Sequence, residues 1–154
     1  MSKDCEQNST VLTKTFQSSN KGIYCLIIFL SNSQKIIISK RICFFPKGYY
    51  CYVGSALNNL DKRIARHKSK NKKMHWHIDY FLEHGKIIGV DRLETKKKLE
   101  CELSKRLNSL TDCNVVMKGF GSSDCKCQTH LYHFKKNELK EVSLIINRMN
   151  RIKI

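Results

Sequence analysis

One short segment near the middle of the second half of the chain combines residue types that bind transition metals. DCKCQTH (124–130) has the spacing Cys-x-Cys-x-x-His and follows the glycine-bracketed run that begins at Gly119. It offers up to three zinc ligands, and Cys101 is a candidate fourth. Zinc sites more often use cysteines separated by about two to four residues, so we expect a tight turn whose thiols pack inward, without zinc. The residues expected to line a cleft here are Asp124, Cys125, Cys127 and His130.

A second group of polar and aromatic residues surrounds a pair of histidines. His75 and His77 are two residues apart, so they diverge on a helix and do not form a zinc motif. We expect one of them to line a cleft and the other to be structural. Trp76 could stack on a nucleic-acid base, although an aromatic residue near a helix start is more often a packing anchor.

Positioning these residues requires a small sheet and several helices. The runs GIYCLIIFL (22–30), KIIISKRI (35–42) and GYYCYVG (48–54) are rich in β-branched and aromatic residues and predict an antiparallel meander. Two helices are expected next, the first burying Leu57, Leu60, Ile64 and His67 and the second running from Met74 to His84, followed by a strand at 86–90. Thr95 is expected to cap a third helix, whose buried stripe is Leu99, Leu103, Leu107 and Leu110. A short strand from Val115 to Met117 and a basic helix from about Asn137 complete the expected elements. The fold class is therefore α+β, with a small central antiparallel or mixed sheet flanked by α-helices.

The length of 154 residues suits one domain. Residues 1–20 are polar and aperiodic, which predicts a flexible tail. Residues 21–136 then form the domain, and residues 137–154 form a basic C-terminal helix packed on the same domain.

The charge of the chain indicates its partner class. It has 29 Lys and Arg against 13 Asp and Glu, a formal net charge of +16. Such an excess attracts polyanions, so nucleic acid is the expected partner. An anionic membrane surface is the competitor, but we expect no membrane binding, because such binding usually needs an amphipathic or lipid anchor. The residues expected to contact nucleic acid are Lys68, Lys70, Lys72, Lys73, Arg66 and Trp76.

The sequence predicts an intracellular location, in the cytoplasm or nucleoid. No apolar run reaches the roughly 18 residues of a transmembrane candidate, and residues 1–21 lack the apolar core of a secretory signal. In a reducing compartment the eight cysteines are expected to be free thiols.

Two tripeptides and two helices give the chain a family resemblance. Gly22-Ile23-Tyr24 and Tyr52-Val53-Gly54 stand at strand-like positions, and Arg63, His67 and Glu100 follow them on expected helices. This order resembles the GIY-YIG nuclease superfamily, although the second tripeptide has Val in its middle position. The segments GYYCYVGSALNNLDKRIARH, HWHIDY, ECEL and GFGSSDCKCQTHLY look most like a small GIY-YIG-related family long described as a domain of unknown function, which occurs alone or fused to DNA-glycosylase-type repair proteins.

The resemblance implies roles for five residues. Glu100 would anchor one Mg²⁺ or Mn²⁺ ion, a hard cation that suits a single carboxylate. Arg63 would offset charge on the phosphate, because its planar fork fits phosphate oxygens. Tyr24 and Tyr52 would order or deprotonate the attacking water, and His67 would relay protons or bind phosphate. The alternatives without a catalytic role are that Glu100 is a solvated helix residue and that Arg63 is a surface arginine. Tyr24 and Tyr52 would then be half-buried core residues.

Helical geometry separates two glutamates on the same expected helix. Glu102 lies about 200° around the helix from Glu100, so both cannot point into one site. Leu99 and Leu103 face the core, which places Glu100 at the edge of the buried stripe.

These observations predict a metal-dependent endonuclease acting on DNA, with DNA favoured over RNA and a repair protein as a further partner. The alternatives are a non-catalytic nucleic-acid-binding module and an RNA-directed nuclease, since the net charge does not distinguish DNA from RNA.

Overall fold

The computed structural model describes residues 20–152, so nearly all of the predicted N-terminal tail lies outside the described residues. The strands are β1 (Gly22–Leu30), β2 (Gln34–Ile38), β3 (Arg41–Phe45), β4 (Gly48–Ala56), β5 (Lys86–Glu94), β6 (Asn114–Val115) and β7 (Leu131–Phe134). The helices are α1 (Leu60–Lys68), α2 (His77–Phe81), α3 (Glu100–Asn108) and α4 (Leu139–Arg151). A five-stranded antiparallel sheet, a two-stranded sheet and these helices confirm the predicted α+β class.

The central sheet has the strand order β5-β1-β4-β7-β6, and every neighbouring pair is antiparallel. Strand β1 pairs on both edges and is covered on both faces, which explains why GIYCLIIFL is apolar almost throughout. Its alternate side chains enter two different cores. Tyr24 and Leu26 pack towards α1, α2 and the hairpin of β2 and β3, whereas Ile23 and Ile27 pack towards α3 and α4.

The predicted three-stranded meander was wrong. The run at 35–42 turns back at Ser39, whose φ of 58° lies in the left-handed region, and it continues into β3. The β2–β3 hairpin forms its own sheet, so β1 pairs directly with β4. The physical reason that these strands form a separate hairpin is that only one of its faces is buried. Ile36 and Ile38 lie in the core, while alternate side chains such as Ile37 are exposed.

Helix α1 begins later than the apolar spacing predicts. The side chain of Asn59 caps it by accepting a hydrogen bond from the backbone N–H of Lys62 at 2.9 Å. Leu57 therefore precedes the helix and is exposed, whereas Leu60, Ile64 and His67 are buried as expected.

Three other expected boundaries also needed correction. Thr95 does not cap α3, because the helix starts at Glu100 after the N-cap residue Leu99, and the Thr95 hydroxyl instead accepts from the N–H of Lys97. Helix α2 starts at His77 and not near Met74. The strand predicted from Val115 to Met117 is Asn114–Val115.

Helix α4 covers the face of the sheet opposite α1 and α2. Its residues Val142, Ile145, Ile146 and Met149 are buried beside residues of β1, β5 and α3. None of the helices within residues 20–152 is long and apolar enough to cross a membrane.

Candidate active site

A cleft of about 310 Å³ opens where β1, β4, α1 and the start of α3 come together. It is lined by all five residues to which the family resemblance gives roles: Tyr24, Tyr52, Arg63, His67 and Glu100. It is also lined by four residues that were expected to border a cleft or contact nucleic acid: His75, Trp76, His77 and Asp124. Residues from six separate stretches of the chain therefore share one concave surface.

The two tyrosines of the cleft stand on adjacent strands. Tyr24 on β1 and Tyr52 on β4 have ring centroids 6.4 Å apart. Gly54 is the cross-strand partner of Tyr24, and a Cβ at this glycine would lie 2.4 Å from the Tyr24 hydroxyl. The glycine of the second tripeptide is therefore required so that the Tyr24 ring can lie across β4.

Tyr24 forms a buried pair with His67. The Tyr24 hydroxyl and Nε2 of His67 are 2.6 Å apart, and both side chains are buried. Burial lowers the pKa of His67 to about 4, so the imidazole is neutral at neutral pH. A neutral imidazole with its proton on Nδ1 accepts the tyrosine O–H at Nε2, while Nδ1 has no partner among the described residues.

Neither tyrosine is ionised in the resting cleft. Burial raises the pKa of Tyr24 well above its usual value, although Arg63 acts in the opposite direction. Burial also raises the pKa of Tyr52, and the negative charge of Glu100 adds to this shift. Either hydroxyl can therefore accept a proton only while it gives up its own.

Glu100 is held at the N-terminus of α3 with its carboxylate in the cleft. Oε2 accepts from the Ser55 hydroxyl at 2.8 Å, and Oε1 lies 3.1 Å from Nδ1 of His130. That second contact is short but is not aligned as a hydrogen bond. Burial alone raises the pKa of Glu100, but His130, Ser55 and the positive charge of Arg63 outweigh it and leave the pKa lowered. The carboxylate is therefore ionised.

Trp76 separates two arginines with different surroundings. The guanidinium carbons of Arg63 and Arg66 lie 4.4 Å and 4.3 Å from the centre of the Trp76 ring system. Arg66 donates to both oxygens of the fully buried Asp79, at 2.8 Å and 3.0 Å, and to the carbonyl of Lys73. Arg63 forms no ion pair with a carboxylate within residues 20–152, so its charge is available to the cleft.

The chain matches a known protein family over most of its length. The model of a family described as "Domain of unknown function DUF123" matches residues 23–151. The chain belongs to this family. No curated protein and no solved structure matches it. The matched segment includes every cleft residue described above, so the cleft lies entirely within the DUF123 domain.

Two residues that support this DUF123 cleft were not singled out from the sequence. Asp79 neutralises Arg66 and accepts from the backbone N–H groups of His75 and Trp76, both at 2.9 Å. Ser55 holds Glu100. The signal for Asp79 was its position three residues after Trp76, which is the acidic position of a helix-capping pattern.

The lysines expected to contact nucleic acid occupy the segment between α1 and α2. Lys68, Lys70 and Lys73 are exposed. Lys72 is half-buried and donates to the carbonyl of His67 at 2.8 Å, so it closes the C-terminal end of α1.

A separate group of side chains, here called the thiol cluster, lies beside Glu100. It consists of Cys101, Cys125, Cys127 and His130, whose possible ligand atoms all lie within 4.8 Å of one another. Sequence spacing could not assign Cys101 to this group, because it lies on α3 and reaches the other three only in the folded DUF123 domain.

Proposed function

We propose that this chain is a divalent-metal-dependent endonuclease that hydrolyses phosphodiester bonds in DNA. One observation carries the proposal: Tyr24, Tyr52, Arg63, His67 and Glu100, whose order in the sequence resembles that of GIY-YIG nucleases, line a single cleft. An ionised carboxylate, a cation and two hydroxyl groups in one cleft are the groups that phosphodiester hydrolysis requires.

Glu100 suits the role of metal anchor. Each carboxylate oxygen has about two lone-pair sites, and Ser55 and His130 occupy positions on different oxygens, which leaves acceptor capacity towards the cleft. A bound Mg²⁺ or Mn²⁺ ion would supply positive charge to the phosphate and lower the pKa of a bound water. Asp124 lines the same cleft and adds a second carboxylate near this position.

Arg63 and the Tyr24–His67 pair supply the remaining functions. The guanidinium of Arg63 stabilises charge on the non-bridging phosphate oxygens. Tyr24 accepts a proton from the attacking water while its own hydroxyl proton passes to Nε2 of His67, so the tyrosine never has to ionise in advance. The negative charge of a bound phosphodiester raises the pKa of His67, because it favours the imidazolium form.

A non-catalytic nucleic-acid-binding module is the second candidate function. The raised pKa values of Tyr24 and Tyr52 favour it, because neither group is poised as a base before substrate binds. The net charge of +16 suits both functions equally.

A cleavage assay distinguishes the two functions. The full chain is incubated with branched, flapped, nicked and linear DNA, and with structured RNA, in Mg²⁺ or Mn²⁺ and in EDTA. We expect metal-dependent cleavage of DNA. In Glu100→Gln the rate should fall by about two to three orders of magnitude, the usual effect of losing a major electrostatic stabiliser. DNA binding in EDTA should not change, because the basic surface is intact.

Glu102→Gln is the matched control. Glu102 is on the same helix, its side chain is 47% exposed, and it pairs with Arg106 away from the cleft. This variant should keep most of the activity. Absence of cleavage by the parent chain on every substrate, with salt-dependent binding retained, would support the binding module instead. Cleavage of RNA alone would redirect the proposal to an RNA substrate.

A further inference from the structure

The four members of the thiol cluster come from two parts of the fold, α3 and the loop before β7. Cys101 is the second residue of α3, Cys125 and Cys127 lie in the loop at 119–130, and His130 precedes β7. The loop is closed at its base by two backbone hydrogen bonds, from Gly119 to Gln128 at 2.7 Å and from His130 to Phe120 at 2.8 Å. This closure turns the loop thiols towards α3.

The distances in the thiol cluster fit a tetrahedral metal site. Zinc–sulfur bonds of about 2.3 Å and zinc–nitrogen bonds of about 2.0 Å place tetrahedral sulfur and nitrogen ligands roughly 3.5 Å apart, and two sulfurs roughly 3.8 Å apart. Sγ of Cys125 lies 3.5 Å from Nε2 of His130. Since all the ligand atoms lie within 4.8 Å of one another, small side-chain movements would complete the tetrahedron.

The cysteines of the thiol cluster differ from the cysteines of the core. Cys25 and Cys51 are fully buried among apolar residues of the sheet, where Cys acts as a small hydrophobe. Cys101, Cys125 and Cys127 are only partly buried and face one another and an imidazole, not an apolar core. Packing alone therefore does not explain their arrangement.

We propose that Cys101, Cys125, Cys127 and His130 bind one zinc ion. Thiolate and imidazole ligands suit zinc and not Mg²⁺, and a complete set of four protein ligands is typical of a structural and not a catalytic zinc. The structure places Cys101, the candidate fourth ligand, beside the other three.

The zinc site would position the carboxylate in the cleft. With Nε2 of His130 on the metal, the ring proton is fixed on Nδ1, which lies 3.1 Å from Oε1 of Glu100. Metal-bound histidines usually donate their second N–H to a carboxylate or carbonyl, and this orients both partners. The zinc also links the loop at 119–130 to α3, so it keeps Asp124 and Glu100 on the same side of the cleft.

Elemental analysis of the full chain, purified in reducing buffer without added metal, tests the proposal. We expect about one zinc ion per chain. Cys127→Ser should lower the zinc content by about tenfold or more, because a structural site loses much of its affinity with one of four ligands. Cys113→Ser is the matched control, since Cys113 is also partly buried but lies outside the thiol cluster, and its zinc content should equal that of the parent.

Cobalt substitution keeps the test independent of how well Cys127→Ser folds. The parent chain, freed of metal and titrated with Co²⁺, should show the intense visible bands of tetrahedral thiolate-bound cobalt, saturating at about one equivalent. Removal of zinc should lower the thermal midpoint by about 10 °C, and added zinc should restore it. A parent with negligible zinc and no such cobalt spectrum would overturn the proposal, as would equal zinc in the parent and Cys127→Ser. These readouts do not depend on cleavage, so the zinc site and the nuclease can fail separately.

Discussion

The cleft and the thiol cluster meet at one turn of α3 and differ in the atoms that they present. Glu100 and Cys101 are consecutive, yet Glu100 points its carboxylate into the cleft and Cys101 points its thiol at Cys125 and Cys127. Oxygen ligands suit hard cations such as Mg²⁺, whereas thiolates suit zinc. Adjacent residues can therefore serve two sites without competing for one metal.

The two regions also differ in what holds them. The cleft tyrosines stand on β1 and β4, whose positions are set by paired strands and by the core. The thiol cluster depends on a loop that backbone hydrogen bonds close at its base. His130 links the two regions without lining the cleft, since its ring contacts Cys125 of the thiol cluster and Glu100 of the cleft. Under the proposed function, the cleft would perform the chemistry and the thiol cluster would maintain its border.

The largest effect that this comparison predicts comes from Tyr24→Phe. The change removes only the hydroxyl that contacts His67, so cleavage should fall by about 100-fold or more, the usual contribution of a positioned acid–base group. The zinc content should not change. Single-turnover cleavage and elemental analysis measure the two quantities on one preparation.

Tyr49→Phe is the control for this change. Tyr49 is on the same sheet as Tyr24 but packs against Phe29, away from the cleft. It should keep most of the activity. Equal losses in both variants would show that the tyrosine effect is structural and would remove the proposed proton route.

The sequence predicted the cleft better than the thiol cluster, and the reason is physical. Strand periodicity and tripeptide order located Tyr24 and Tyr52, because side chains near one end of paired strands come together whenever the strands pair. The α+β class followed from the same periodicity. The meander was wrong because the turn at Ser39 and Lys40 contains no Gly, Pro or Asn to mark it, and β-branched residues favour one long strand as much as a hairpin.

The thiol cluster could not be predicted in full from spacing. Helix, strand and loop residues 102–124 separate Cys101 from Cys125, and only tertiary packing decides which of the cysteines meets the Cys-x-Cys segment. The pairing of Asp79 with Arg66 could not be predicted for the same reason. Its partner Arg66 is on another helix, and its burial depends on how α1 and α2 pack.

An intermediate effect is expected beside the cleft, where Arg66 holds Asp79 and stacks on Trp76. Arg66→Lys replaces a two-pronged donor with a single ammonium group, so the fully buried carboxylate of Asp79 loses one of the two hydrogen bonds that it accepts from this side chain. The free energy of unfolding should fall by about 1.5–3 kcal/mol, the value of a hydrogen bond to a charged group. Denaturant titration measures it.

Arg63→Lys is the matched control for Arg66→Lys. Arg63 stacks on the same Trp76 ring but has no carboxylate partner within residues 20–152. The stability of this variant should change by less than about 1 kcal/mol, while its cleavage rate should fall because the planar fork is lost. If Arg63→Lys destabilised the chain more than Arg66→Lys, the assignment of chemistry to one arginine and support to the other would be reversed.

The smallest expected effect tests which of the two regions faces nucleic acid. Lys68 and Lys70 belong to the segment that links His67 to His75, both of which line the cleft, whereas Lys105 and Lys126 lie beside Cys127 of the thiol cluster. Each phosphate contact that is lost lowers the slope of log affinity against log salt by about 0.9 on duplex DNA. Lys68→Gln with Lys70→Gln should therefore lower the slope by up to roughly 2, and Lys105→Gln with Lys126→Gln should leave it nearly unchanged.

Both pairs remove the same charge, so a general field effect would alter the two slopes equally. A larger change for the pair beside Cys127 would place the DNA over the thiol cluster and not over the segment that links His67 to His75. Fluorescence anisotropy in EDTA over a range of salt concentrations measures the slopes without cleavage, so the result holds whether or not the chain is a nuclease.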